Sequence, residues 1–379
     1  MVCTVERKVL LDAIGAIRDV IRPNTSDMSD SSNYLIFQNG RIHAISNQFM
    51  VTVPAGIDLG DKPVSVEYQL FSDYIRKIRA KELMLGVTNS GSLGLKVGDN
   101  AKVEFATNDE WSFDDANIIT DESAWCELPE TFANAMQFTA WASNPSDANF
   151  SHVAVVNGIM YGHSADRACA FDMQEQGVTS FDSDVTFIHA DCLNFIQKYC
   201  GFDPMRGKPK YCVKNGWLHI RTLDGVVMSS RTRADASFDV DFMEDLLKQG
   251  NSSPFRFNKD FVEALDRANP FSGRNEKSKK VNVYIRNKCN NVDAPADSSF
   301  IAITATREDG SRIYEQCLIR RIEEPITFAI NHRLLTEMVK YGEIFRVGDG
   351  TITCVGSTVD GTADGKPMYR AVAMLQYED

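Results

Sequence analysis

A local pattern that occurs three times along the chain restricts its fold more than any other feature. In each copy a short β-branched run is followed by an amphipathic helical stretch that ends in a lysine and an apolar residue. The copies are Val64–Ile78, Val185–Tyr199 and Ile326–Tyr341. This pattern predicts a strand followed by a helix. Its repetition indicates an array of similar modules rather than one irregular domain.

A second kind of helix lies between these copies. The predicted helices are Val5–Arg22, Pro129–Ser143 and Asn258–Phe271. After the helices come alternating apolar and polar residues with turn pairs such as Asn-Gly and Asp-Gly, which are typical of antiparallel meanders. We therefore predict an α+β fold of three tandem domains, each made of two helix-plus-meander modules. The predicted domains are 1–124, 125–250 and 251–379, and the polar segment Gln249–Pro254 marks the second boundary.

Composition excludes several classes of protein. The chain has 379 residues, of which 43% are hydrophobic and 24% are charged, as in ordinary globular proteins. No apolar run approaches the roughly 18 residues of a membrane helix, and the charged N-terminus does not resemble a secretory signal. The nine cysteines form no Cys-x-x-Cys pair. We expect scattered thiols in a reducing cytoplasm, with no metal site and no cofactor.

The sequence contains none of the common catalytic motifs. The six histidines form no His-Glu-x-x-His pair, and neither a GxxxxGK[ST] nor a GxSxG sequence occurs. The glycine-rich stretch NSGSLGLKVG joins two predicted strands, which indicates a hairpin rather than a phosphate-binding loop. We therefore expect a protein that is not an enzyme. An enzyme with an unusual site is the weakest of the alternatives.

Five segments resemble one protein family. They are LLDAIGAIRDVIRPN, YQLFSDYIRKI, NGIMYGHSADRACAF, ITFAINHRLLTEMVKY and YRAVAML. In this order they resemble the bacterial-type DNA polymerase sliding clamp, the β subunit or processivity factor, along essentially the whole chain. The Thr-Asp-Gly-His-Arg-Leu turn of the family is replaced by the segment His163 to Ala168, and its Met-Pro-Met by Val372-Ala-Met374. These departures and the extra LQYED tail indicate a divergent or phage-encoded member.

The resemblance implies a ring. Two chains would associate head to tail, with helices lining a central hole for duplex DNA and sheets on the outside. Cations on the hole-facing helices would bind phosphates without reading the sequence. The candidates are Arg7, Arg18, Arg22, Arg76, Lys77, Lys198, Arg267, Arg274 and Lys340. Any one of them could equally be an ordinary charge on a solvent-facing helix, and Pro129–Ser143 contains neither lysine nor arginine.

The resemblance also implies a groove for short linear motifs of polymerases, clamp loaders and repair proteins. The residues at the matching positions are His163, Arg167, Ala168, Phe242, Leu246, Val372 and Met374. Edge strands and a helix end would form the dimer interface through Val103, Phe105, Pro270 and Phe271. The groove residues could instead be domain-interface core, and Phe271 could be an ordinary core residue at a helix end.

The predicted function is therefore a sliding clamp that encircles duplex DNA and tethers the replicative polymerase. We expect it in the cytoplasm of a bacterium, or of an infected host cell, with no membrane partner. The net charge of −12 fits this function if the outer surface repels DNA while basic helices line the hole. The alternative is a clamp-fold adaptor that binds partner peptides without encircling DNA.

Overall fold

The computed structural model describes residues 2–22, 30–98, 101–114, 117–144, 146–173, 185–233, 238–273, 279–286, 297–356 and 368–376. Within these ranges the α-helices are α1 Arg7–Arg18, α2 Tyr68–Lys77, α3 Phe132–Ala140, α4 Leu193–Tyr199, α5 Val240–Leu246, α6 Lys259–Ala268 and α7 His332–Tyr341. None of these described helices has the length and apolar character that a membrane-spanning helix requires.

Short antiparallel strands make up most of the remaining regular structure. The first twelve are β1 Val2–Glu6, β2 Tyr34–Gln38, β3 Gly40–Ile45, β4 Phe49–Ile57, β5 Val64–Glu67, β6 Glu82–Val87, β7 Leu93–Val97, β8 Ala101–Phe105, β9 Cys126–Glu127, β10 His152–Val156, β11 Ile159–His163 and β12 Arg167–Asp172. The others are β13 Thr186–His189, β14 Lys210–Lys214, β15 Trp217–Arg221, β16 Val227–Arg231, β17 Lys280–Arg286, β18 Ser298–Thr306, β19 Arg312–Arg320, β20 Ile326–Asn331, β21 Ile344–Gly348, β22 Thr351–Gly356 and β23 Tyr369–Met374. The predicted α+β class is confirmed.

The strand-then-helix pattern is observed in all three predicted copies, but the first predicted helix, Val5–Arg22, is wrong at both ends. Its first residues belong to β1, which pairs along its length with β6. The backbone N–H of Arg7 still donates to the carbonyl of Lys81, so α1 begins only where this pairing stops. The helix ends at Arg18, well before the predicted end. Pairing with a strand about 80 residues away therefore outweighs the local helical pattern.

The chain forms two compact units, and the division between them falls within α3. Unit 1 comprises Met1–Asn134 and Thr186–Asp235. One of its sheets has the strand order β1-β6-β7-β8, and the other has the order β5-β2-β3-β4-β16-β15-β14-β9. Helices α1 and α2 pack against each other, and α1 also packs on β4. Their buried side chains, among them Leu10, Ile14 and Phe71, form much of the apolar core of this unit.

Unit 2 comprises Ala135–Val185 and Ala236–Asp379. In one sheet its strands follow the order β10-β11-β12-β23-β22-β21, and its second sheet has the order β19-β18-β17-β20. Helix α6 packs on β18 and β19, and α7 packs on β20 and β22. The amphipathic faces of both helices, which include the buried residues Phe261 and Leu335, cover these sheets as the sequence predicts.

The two units do not follow the three predicted domains, because each long sheet continues across a predicted boundary. In unit 1, β4 of the first predicted domain pairs with β16 of the second. In unit 2, β12 of the second predicted domain pairs with β23 of the third. A division by contacts therefore separates the residues of 125–250 into two groups. The division into three tandem domains stays a prediction.

Two buried histidines give unit 1 a defined response to acid. The Nδ1 atom of His43 lies 3.0 Å from Thr52 Oγ1, and that of His219 lies 2.7 Å from Ser229 Oγ. Burial lowers the pKa of each imidazole from 6.5 to about 4. Between these pH values the unfolded chain binds protons that the folded chain does not, so stability falls as the pH falls.

We expect acidification from pH 6.5 to 4 to reduce the free energy of unfolding by about 3 kcal/mol for each of these histidines. His219→Gln, which cannot titrate, should lose less stability over this interval than the wild type. Urea denaturation at pH 7 and at pH 5 would measure the difference. Parallel pH profiles for the two proteins would contradict this origin of the acid sensitivity.

Candidate DNA-facing helices and peptide groove

All candidate DNA-binding cations of unit 1 except Arg22 lie on α1, α2 or α4, and Arg22 lies four residues after the end of α1. Five of them have exposed side chains: Arg18, Arg22, Arg76, Lys77 and Lys198. The exposure of the charged side chains on the helices follows from helix geometry. Apolar residues occupy the buried faces of α1, α2 and α4, and charged residues occupy the opposite faces. Exposed cations of this kind can attract phosphate without any contact to the bases.

Arg7 differs from the other candidates because its guanidinium has partners within unit 1. Its Nε donates to the carbonyl oxygen of Ile75 at 3.0 Å, and one terminal nitrogen donates to that of Arg76 at 2.8 Å. These carbonyls belong to the last turn of α2, whose C-terminal end carries partial negative charge. Arg7 therefore stabilises the end of α2, and this structural role competes with a contact to DNA.

Several of the other candidates have a carboxylate close by. Lys198 lies 3.0 Å from Asp19, and Arg22 lies 3.5 Å from Asp191. In unit 2, Lys340 lies 2.7 Å from Glu337 in the same helix. Ion pairs between exposed side chains are worth about 0–1 kcal/mol, so a DNA phosphate can compete with these carboxylates. The pairs reduce the positive potential of the helix surfaces without removing the cations.

Among the candidate DNA-binding cations, Arg267 in α6 forms the shortest ion pair with a carboxylate. Its Nε lies 2.8 Å from Glu315 Oε1, and a terminal nitrogen also contacts this carboxylate. The hydrogen bond from Arg267 holds the pKa of Glu315 below its ordinary value. Arg267 therefore ties α6 to β19. Arg274, the remaining candidate, lies outside the described residues.

The predicted groove residues of unit 2 lie on neighbouring strands and on α5. Residue His163 of β11 is opposite Ala168 of β12, which is opposite Val372 of β23. Met374 follows two residues later on the same face of β23, and its backbone N–H donates to the carbonyl of Asp166. Strand register therefore brings together residues that are up to 211 positions apart in the sequence.

The groove residues differ in how far a partner could reach them. Phe242 and Met374 are 62% and 54% exposed, which is unusual for large apolar side chains. His163 and Leu246 are half-buried, whereas Ala168 and Val372 are buried. The last two therefore offer no side-chain surface to a partner.

Arg167 is half-buried and is held by the segment that follows α3. Its Nε donates to the carbonyl oxygen of Trp141 at 2.9 Å, and a terminal nitrogen donates to that of Ser143 at 3.3 Å. A second terminal nitrogen lies 2.8 Å from the carboxylate of Asp166. The guanidinium also lies over the ring of Trp141. Arg167 therefore fixes the turn between β11 and β12, and strand alternation places it on the opposite face of β12 from Ala168.

A polar network that the sequence analysis missed attaches α5 to this sheet. Glu244 of α5 receives two hydrogen bonds from the guanidinium of Arg370 in β23, one of them at 2.7 Å. It also accepts a hydrogen bond of 2.9 Å from the hydroxyl of Tyr161 in β11. The bonds from Arg370 hold the pKa of Glu244 below its ordinary value. An arginine in the otherwise apolar run YRAVAM was the one signal of this network in the sequence.

The candidate interface residues lie on or near two sheet edges. Val103 and Phe105 belong to β8, an edge strand of unit 1, and Val103 is half-buried. The ring of Phe105 is buried and contacts Phe71 and Tyr74. Phe105 can therefore affect this edge only through core packing, because its ring is not accessible to another chain.

In unit 2 the interface candidates follow α6, beside the edge strand β19. Pro270 is exposed and Phe271 is half-buried in a short 3₁₀ turn, Asn269–Phe271. An exposed edge strand such as β19 offers unpaired backbone groups to another chain.

Comparison with solved structures identifies the fold. The chain resembles the DNA polymerase sliding clamp from Bacillus subtilis with a TM-score of 0.75 and 14% sequence identity. It resembles the DnaN sliding clamp from Bartonella birtlesii bound to griselimycin with a TM-score of 0.77 and 14% identity. For Caulobacter crescentus pol III beta the values are 0.73 and 14%. In all three comparisons the similarity covers 100% of both chains.

Neither a protein-family model nor a curated protein sequence matches the chain. The similarity is therefore carried by the three-dimensional arrangement rather than by sequence identity. Since it extends over the full length of both proteins in each comparison, it includes both compact units and not one shared module. The chain has the fold of the bacterial DNA polymerase III β sliding clamp.

Proposed function

We propose that the chain is a sliding clamp, a non-enzymatic processivity factor that encircles duplex DNA and tethers a DNA polymerase. The observation that carries this proposal is the full-length similarity to solved sliding clamps. The exposed cations on α1, α2 and α4 support it, because a mobile protein needs phosphate contacts and no base contacts.

The assembly that we propose is a homodimeric ring. The edge strand β8 of one chain would pair with the edge strand β19 of the other, beside Phe271. Pairing these edges head to tail would close a ring of two chains, each of three tandem clamp domains. A closed ring holds DNA by topology, so it needs no tight contact with the duplex. The net charge of −12 is compatible with this mode of binding.

The partner site that we propose is the groove formed by β11, β12, β23 and α5. Its exposed apolar side chains, Phe242 and Met374, suit short linear motifs of a polymerase, a clamp loader or other replication proteins. The place of action would be the cytoplasm of a bacterium or of a phage-infected cell.

A clamp-fold adaptor that does not encircle DNA is the second candidate. The carboxylates beside Lys198, Arg22 and Lys340 favour it, because they weaken the attraction of these surfaces for phosphate. The two functions predict different consequences of removing exposed arginines, so measurements of DNA binding distinguish them.

We expect Arg22→Ala combined with Arg76→Ala to weaken duplex binding and to flatten its salt dependence. The slope of log K against log salt should fall by about 0.9 for each phosphate contact that is lost. Met374→Ala should leave duplex binding unchanged and serves as the matched control. Fluorescence anisotropy with labelled duplex between 50 and 200 mM salt, roughly the range over which such contacts weaken, would measure both. Unchanged DNA binding in the arginine variant would favour the adaptor.

A further inference from the structure

The sheet β19-β18-β17-β20 of unit 2 has two unlike faces. On one face Glu315 is opposite Ile303, which is opposite Val283. The ion pair between Glu315 and Arg267 of α6 shows that the helices cover this face, where Ile303 and Val283 are buried. Strand alternation directs the residues in between to the opposite face, which carries exposed side chains.

All charged residues on this opposite face are cations. They are Lys280 and Arg286 of β17 and Arg312 and Arg320 of β19, whereas Glu315, the only carboxylate of the four strands, points to the helices. The three arginines are exposed, and none of them forms an ion pair within the part of the chain that the structure describes. Like charges without counter-charges do not stabilise a fold, so stability does not explain a cationic face on a chain of net charge −12.

Three aromatic side chains lie between these cations. Tyr314 of β19 is 65% exposed, and Tyr284 of β17 and Phe300 of β18 are half-buried. Within the described ranges, none of the three rings contacts another aromatic ring. The hydroxyl of Tyr314 donates to Oε1 of Gln316 at 3.2 Å. This hydrogen bond holds the ring along β19 while most of its surface meets solvent.

Small side chains separate the two tyrosines. In the register, Tyr314 is opposite Thr304 of β18, and Tyr284 is opposite Ala302 of the same strand. Tyr314 and Tyr284 are two strands apart, which is about 10 Å across the sheet. Because Thr304 and Ala302 are shorter than the rings, a flat group can lie against each ring without a collision.

Two kinds of negatively charged partner could meet this face. The carboxylates of an acidic peptide would satisfy the arginines but would leave the rings without a contact. A single-stranded nucleic acid satisfies both, because its phosphates attract cations and its unpaired bases stack on aromatic rings. In a duplex the faces of the bases are already stacked on one another, so the rings could not reach them.

We infer that the exposed face of β17, β18, β19 and β20 binds single-stranded DNA, with bases stacked on Tyr284 and Tyr314 and phosphates beside the three exposed arginines. The choice of DNA rather than RNA rests on the proposed function, since a processivity factor acts where template strands are unpaired. In the proposed ring the sheets lie outside, so this face would stay open while duplex DNA occupies the hole.

Fluorescence anisotropy with a labelled oligodeoxythymidine of about 12 nucleotides, which forms no base pairs, would measure this binding on the full-length protein. Tyr314→Ala should weaken binding at least about tenfold, or about 1.4 kcal/mol, because it removes one stacking platform. Tyr314→Phe keeps the ring and loses only the hydrogen bond to Gln316. It should therefore bind the strand as the wild type does.

The arginines are tested through the salt dependence. Arg286→Gln combined with Arg312→Gln should lower the slope of log K against log salt by about 0.7 for each phosphate contact that is lost. Arg256→Gln combined with Lys259→Gln is the matched control, since it removes two exposed cations of unit 2 that lie outside the four strands. The control should leave both affinity and slope unchanged. Thermal unfolding and light scattering of all variants would show that fold and oligomeric state are retained.

Two results would overturn the inference: no binding of the strand by the wild type, or equal affinities for the wild type and Tyr314→Ala. Should Tyr314→Ala fail to fold, an unchanged salt slope in the arginine variant would overturn it. Displacement of the strand by oligoglutamate as readily as by unlabelled oligodeoxythymidine would instead indicate a site for acidic peptides and would also overturn it. Tighter binding of oligouridine would overturn the assignment to DNA.

The proposed clamp function is measured separately. Retention on nicked circular duplex requires a closed ring but no contact with Tyr314, so Tyr314→Ala should be retained as the wild type is. If the wild type bound the single strand but were not retained on circles, the clamp function would fail and the site on this sheet face would stand.

Discussion

Gly162→Ala should lower the free energy of unfolding by about 3 kcal/mol, the upper part of the usual range for overpacking a core. A Cβ atom at this position of β11 would lie 2.0 Å from the carbonyl oxygen of Thr139 in α3. The obstacle is backbone, so no change of rotamer relieves it. The thiol of Cys169 also points at this end of the helix, 3.5 Å from the carbonyl oxygen of Phe138. The helix therefore has no room to move away without losing its contact with the sheet.

Gly201→Ala is the matched control for this variant. A Cβ atom there would have nothing within 4 Å, and Gly201 does not adopt a positive φ. We expect this control to change the free energy of unfolding by less than about 0.5 kcal/mol, as is usual for surface substitutions. Guanidinium denaturation of both variants would measure the difference. Equal stabilities would show that the backbone of α3 does not lie as close to Gly162 of β11 as described.

Val103→Asp should convert the proposed dimer to a monomer. Val103 lies on the edge strand β8 and is half-buried within its own chain, so the partner strand would cover the rest of it. An aspartate at this position would place an unpaired charge in the interface, which is strongly unfavourable. We expect the dimer dissociation constant to rise by at least about 100-fold, which corresponds to about 3 kcal/mol.

The control for the interface lies one residue earlier on the same strand. Lys102 points to the opposite face of β8, where it forms an ion pair of 2.8 Å with Glu104. Lys102→Ala should leave the dimer intact. Light scattering at micromolar concentration should give twice the chain mass of 42.3 kDa for the wild type and this control. A dimeric Val103→Asp protein would show that β8 is not part of the interface.

The modular pattern could be predicted from the sequence because it is local. In each strand-then-helix copy the apolar residues of the helix follow the helical period and form one buried face. In α7, for example, Leu334, Leu335 and Met338 are buried. The error at the start of α1 has a different origin. Residues Val5 and Glu6 fit a helical pattern, but their backbone groups pair with β6, which no local pattern reports.

The proposed groove could also be predicted only in part, because local sequence patterns do not report long-range contacts. Its exposed apolar members, Phe242 and Met374, could be assigned from the resemblance to known clamps, since each belongs to a recognisable segment. The ion pair between Glu244 and Arg370 could not be predicted from the sequence. The two residues are 126 positions apart and meet only when β23 joins β12. Arg7 is a similar case, since its acceptors in α2 lie 68 and 69 residues away.

The central claim, that this protein holds DNA by encircling it, is tested most directly by topology. Protein incubated with nicked circular plasmid, at a concentration where dimers open and reclose, would be separated from free protein by gel filtration. The complex would then be cut once with a restriction enzyme and filtered again. We predict that the protein stays with circular DNA and is released from the linear form. Equal retention on circular and linear DNA would contradict the account.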